Sequence, residues 1–78
     1  MTVRQDHETK DLYFAAFLQA RGVELINTRR RGSVVWFVFE DVDNMRDLRH
    51  DFFSGTGKVK ARPYADALRN LKSLIHEV

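Results

Sequence analysis

The chain has 78 residues, 44% of them hydrophobic and 31% charged, which is the composition of one small folded domain and not of a disordered segment. It contains no cysteine, which excludes disulfides and thiolate metal sites together and points to a reducing, cytoplasmic setting. Thirteen Lys and Arg against eleven Asp and Glu leave a net charge of +2, too little to imply a nucleic-acid partner by itself.

The charge is unevenly placed. Residues 41–53 carry Asp41, Asp43, Asp47 and Asp51 against Arg46 and Arg49, a net of −2. Residues 54–78 carry Lys58, Lys60, Arg62, Arg69 and Lys72 against Asp66 and Glu77, a net of +3. No apolar run approaches the roughly 18 residues that span a bilayer, and the polar start MTVRQDHETK is neither a secretory nor a transit signal.

In chain order, residues 1–8 read as a flexible N-terminal arm and 9–78 as a single domain. Thr9 is placed to N-cap a helix over residues 11–22, with Asp11 complementing its dipole and Gly22 as its left-handed terminator. Leu12 to Leu18 is unbroken apolar sequence, so this helix should be largely buried.

VELINT (23–28) and SVVWFVFE (33–40) are rich in β-branched and aromatic residues and read as a hairpin. Arg29, Arg30, Arg31 and Gly32 form its loop. In the second strand Val35, Phe37 and Phe39 point one way and Val34, Trp36 and Val38 the other, so both faces are apolar. Such a strand is either covered on both sides or half-buried with a hydrophobic face awaiting a partner.

Asp41 and Asp43 offer N-caps to a second helix with Met45, Leu48 and Phe52 on one face, ended by Gly55 or Gly57. KVKA (58–61) is the candidate for a third short strand. Pro63 fits the first turn of a last helix whose stripe is Tyr64, Leu68, Leu71, Ile75 and Val78, with Arg62, Asp66, Arg69, Ser73 and His76 opposite. The expected fold class is α+β: a β-hairpin, with that third strand if it forms, packed with three helices in the order α-β-β-α-(β)-α.

Chemistry-bearing motifs are few. SGTGK (54–58) resembles part of a phosphate loop, but a Walker A motif needs a glycine and a Ser or Thr where Phe52 and Val59 stand, and a strand where a helix is expected. His7, His50 and His76 have no metal-ligand spacing, and no nucleophile motif is present. Asp43 and Asp47 share a helix face, which capping and solvation explain. The aromatic RNA-binding strand pattern fails after Arg31-Gly32, although Trp36 beside three arginines has the means to stack a base.

TKDLYFAAFLQARG followed by VELI, then VVWFVFED, and finally YADALRNLKSLI resemble a family of short bacterial and phage proteins known as a domain of unknown function, over roughly residues 9–76. The resemblance implies no activity, cofactor or catalytic residue. A phage or mobile-element source, which it also implies, favours nucleic-acid or protein–protein roles.

The functional expectation is a non-enzymatic binding module without cofactor or membrane partner. It would contact nucleic acid through the basic tip Arg29, Arg30 and Arg31, extended by Arg62, Arg69 and Lys72 if these share its surface. The bland reading of the three arginines is a solvated loop. The alternative function is protein interaction or homodimerisation through the doubly apolar strand and first helix.

Overall fold

The computed structural model describes residues 6–77. The elements are β1 (Asp6–Thr9), α1 (Leu12–Ala20), β2 (Leu25–Arg31), β3 (Val34–Glu40), α2 (Met45–Ser54) and α3 (Ala61–Glu77). The fold is α+β, with an antiparallel three-stranded sheet in the order β1-β3-β2 and three helices. The third strand therefore lies before the first helix and not at KVKA.

β1 is a finding that composition hides, because DHET contains no aliphatic or aromatic-hydrocarbon residue. It is held by its pairing: Asp6 to Thr9 run opposite Glu40 to Phe37. Its alternation turns His7 and Thr9 to the same side as Phe39 and Phe37, and Glu8 to the side of Val38. Residues 6–8, assigned to the N-terminal arm by composition, thus belong to the sheet. Residues 1–5 of that arm, and Val78 of the expected last stripe, lie outside the described residues.

Asp11, and not Thr9, caps α1: its Oδ1 accepts from the backbone N–H groups of Tyr13 and Phe14 at 2.9 and 3.1 Å. Thr9 instead ends β1, and its hydroxyl accepts from the Asp11 N–H at 3.2 Å. Gly22 closes the helix at φ +88° as expected, with Val23 N–H bonded to the Leu18 carbonyl and Gly22 N–H to that of Gln19, the paired bonds of a Schellman motif.

The hairpin strands are longer than expected. β2 runs through all three arginines, and the turn shrinks to Gly32-Ser33. Gly32 has φ +62° and no other residue there has positive φ, the requirement of a type II′ turn, whose twist matches that of the strands it joins. A bulge at Ile26 resets the register between Leu25 and Asn27.

α2 starts after Asn44, whose side chain makes no capping bond, so neither Asp41 nor Asp43 serves as its cap. Gly55 at φ +80° terminates it. Thr56 and Gly57 N–H groups both return to the Asp51 carbonyl, at 3.0 and 2.8 Å, so SGTGK is a helix-stop loop. A Cβ at Gly57 would stand 2.8 Å from the Phe17 ring, which explains the glycine. Lys58 to Lys60 then pass without strand pairing, anchored by Val59 against the core and by the Lys58 carbonyl, which accepts from Arg21 at 2.9 Å. α3 begins at Ala61, with Pro63 in its first turn, where a missing N–H is harmless.

All three helices meet one face of the sheet. Phe14, Phe17 and Leu18 of α1, Met45 and Leu48 of α2, Ala67 and Leu71 of α3 and Val35, Phe37 and Phe39 of β3 form one buried cluster. The molecule is only 18 Å through its thinnest axis, the thickness of one sheet and one helical layer. Among the described residues no helix is long and apolar enough to cross a membrane.

Candidate nucleic-acid interface

The second sheet face has no helix over it among the described residues, and it carries the odd-looking residues of the sequence. Cross-strand pairing sets Arg29 opposite Trp36, Arg31 opposite Val34, Asn27 opposite Val38 and Glu8 opposite Val38 from the other edge. Side chains directly opposite one another share a face. Val38 is fully buried among these neighbours without joining the helix-side core, whereas Val34 is 39% exposed and Trp36 half-buried.

Trp36 is flanked by cations. The Arg31 guanidinium carbon lies 5.1 Å from its ring centroid and the Lys10 Nζ 5.8 Å, both within the range of a cation–π contact. Glu8 stands beside them. Its Oε1 accepts from Arg29 Nη1 at 2.7 Å and its Oε2 from Arg31 Nη2 at 2.8 Å. One carboxylate therefore bridges two guanidiniums that sit two residues apart on the same strand.

The six basic residues singled out in the sequence are not brought together. Arg29 and Arg31 share the open face. Arg30, one residue between them, turns to the helix side, where its Nη2 donates to the Ile75 carbonyl at 3.4 Å near the end of α3. Arg62 and Arg69 point away from the Ala67–Leu71 stripe that α3 buries, and Lys72 lies on its flank, so all three belong to the helical layer. Arg69 pairs with Asp66 at 3.6 Å. The expected extension of the arginine patch onto α3 is thus absent from the open face.

Two residues of the open face, Glu8 and Lys10, were not anticipated. Their only sequence signal is the alternation of His7 and Thr9 with Glu8 and Lys10, which becomes legible once β1 is known to be a strand.

A family model for a domain of unknown function, DUF5659, matches residues 4–77. The chain belongs to the DUF5659 family. No curated protein and no solved structure matches it.

This DUF5659 chain has two further features near its surface. On α2, Arg46, Arg49, His50 and Phe53 line a shallow hollow, with Arg49 over the ring of a 57% exposed Phe53 at 5.4 Å. On β1, His7 packs edge-on against Phe14, with centroids 6.0 Å apart, and its Nε2 is buried without a hydrogen-bond partner. Burial holds the His7 pKa below its ordinary value; Arg49 adds to the lowering and Asp41 opposes it. No group of three or more His, Asp or Glu able to hold a metal gathers among the described residues.

Proposed function

We propose that this chain is a non-enzymatic module that binds single-stranded nucleic acid on the open face of its sheet. The observation that carries the reading is Trp36, half-buried on that face with Arg31 and Lys10 beside its ring and Arg29 across the strand. An aromatic platform accepts any base, and neighbouring cations take the backbone that runs past it. A duplex hides its base faces within the stack, so the platform favours an unpaired strand. Arg30, Arg62, Arg69 and Lys72 have no part in this version of the site.

Fluorescence anisotropy of short labelled single-stranded and duplex DNA and RNA tests it. Expected is single-strand binding with quenching of the Trp36 emission. Binding should weaken as salt rises, with a log–log slope near about −0.7 per phosphate neutralised. Absence of single-strand binding at low salt, or binding untouched by Trp36→Ala, overturns it.

A second reading is self-association. It is favoured by the outer edge of β2, which has no strand neighbour among the described residues and shows Ile26 41% exposed at the bulge. A clean monomer by sedimentation at high micromolar concentration would remove it.

A further inference from the structure

The carboxylate between Arg29 and Arg31 has a meaning beyond local charge balance. Resting on the nucleic-acid reading above, we propose that Arg29 and Arg31 form a phosphodiester site and that Glu8 occupies it in the free protein, as an internal stand-in for the backbone phosphate.

Three observations converge on this. The two guanidiniums engage different oxygens of one anion, at 2.7 and 2.8 Å. A carboxylate presents two equivalent oxygens, and a phosphodiester presents two equivalent non-bridging oxygens, so the same pair of donors serves either. Second, both arginine side chains are about half exposed, at 49% and 52%, and Glu8 is 25% exposed, so an incoming strand reaches the pair without unfolding anything. Third, Arg31 is simultaneously against Trp36 at 5.1 Å, which places the anion site beside the stacking surface. A base on the ring and its phosphate at the arginines are adjacent parts of one nucleotide.

The exchange is inexpensive. Exposed ion pairs contribute little, because water solvates both partners well and ordering two long side chains costs entropy. Trading Glu8 for a phosphate therefore sacrifices little of the fold. Strand pairing opposite Val38 anchors the Glu8 backbone, so after displacement the carboxylate stays within reach of the bound strand and repels it. Glu8 consequently sets an upper limit on affinity. It also selects against small weakly charged anions, which cannot offset the lost pair with stacking on Trp36.

The experiment measures anisotropy of a labelled oligothymidylate with wild type, Glu8→Gln, Glu8→Ala, Arg29→Ala/Arg31→Ala, and the triple variant combining Glu8→Gln with both arginine changes. Circular dichroism checks that each is folded. Glu8→Gln keeps the size of the side chain and removes its charge, so it should bind about three- to tenfold more tightly at low salt, a gain of the size of one surface ion pair. Glu8→Ala should move in the same direction, and the triple variant should lose the gain.

If wild type binds and both Glu8 variants bind equally or more weakly, the stand-in idea is overturned while the nucleic-acid reading survives. A gain that persists in the triple variant also overturns it, since that would be general electrostatics and not release of the two arginines. If neither wild type nor the Glu8 variants bind at low salt, both readings fall together.

Discussion

Along β3 the chain alternates between two environments built from similar residues. Val35, Phe37 and Phe39 face three helices and are buried to 8% or less, while Val34 and Trp36, one step away on the same strand, meet solvent. The helix side is closed by hydrocarbon packed against hydrocarbon. The open side is closed only in part, by the stems and head groups of Glu8, Lys10, Arg29 and Arg31. Apart from Val38, which is fully buried on the open side, the buried side chains of β3 therefore lie on the helix side, and the open side presents the adaptable, charged surface. The division allows the open side to exchange partners without loosening the core.

The largest effect should come from breaking the closed side. Phe37 is fully buried at the centre of the sheet, so Phe37→Ala should cost about 3–5 kcal/mol, read as a lowered urea midpoint. In a domain of this size that is most of the available stability. Val34→Ala, on the open side of the same strand, should cost less than about 1 kcal/mol, read from the same midpoint. Similar losses at the two positions would show that a second core covers the open face.

Trp36→Ala should invert that order. Removing the ring should cost about 1–3 kcal/mol of single-strand affinity, the usual worth of one base stacked on an aromatic side chain. Its effect on the urea midpoint should stay well below that of Phe37→Ala, since the ring has charged side chains and solvent for neighbours and not helices. Parallel titration and denaturation of the two variants decide whether the two faces really carry separate duties.

Much of the closed side was legible in the sequence, because it is written in apolar side chains. Phe14 to Leu18 of the apolar run, Val35, Phe37 and Phe39 of β3, Met45 and Leu48, and Leu71 of the α3 stripe are buried core residues, whereas Tyr13 of the run is 57% exposed and Tyr64, Leu68 and Ile75 of the stripe are only partly buried. Gly22 and Gly55 mark helix ends because only glycine adopts their backbone conformation without strain. The open side was less legible for a physical reason. β1 is held by backbone pairing to β3, and hydrogen bonds of that kind leave no trace in hydropathy. Without β1, Glu8 and Lys10 had no address, and Arg29 to Arg31 looked like a free loop although they alternate across a strand. Whether Arg62, Arg69 and Lys72 join them was a question of tertiary placement, which helical periodicity alone does not answer.

The smallest effect concerns His7, which β1 sends together with Thr9 toward the closed side. His7 lies against Phe14 with Nε2 buried and unpartnered, Arg49 of α2 disfavours its protonation and Asp41 favours it, and the balance is a pKa below 6.5. The folded state therefore prefers neutral His7 more than the unfolded chain does. Above the unfolded value both states are neutral and the stabilisation is fully present. As pH falls below 6.5 the unfolded chain takes up the proton first, so stability declines until the lower folded pKa is passed. Urea midpoints of wild type measured from about pH 7.5 down to about pH 5 should fall with a slope that His7→Phe reduces. Phenylalanine keeps a ring against Phe14 and has nothing to titrate. Equal slopes in the two proteins would show that β1 holds its place on the closed side regardless of charge at His7.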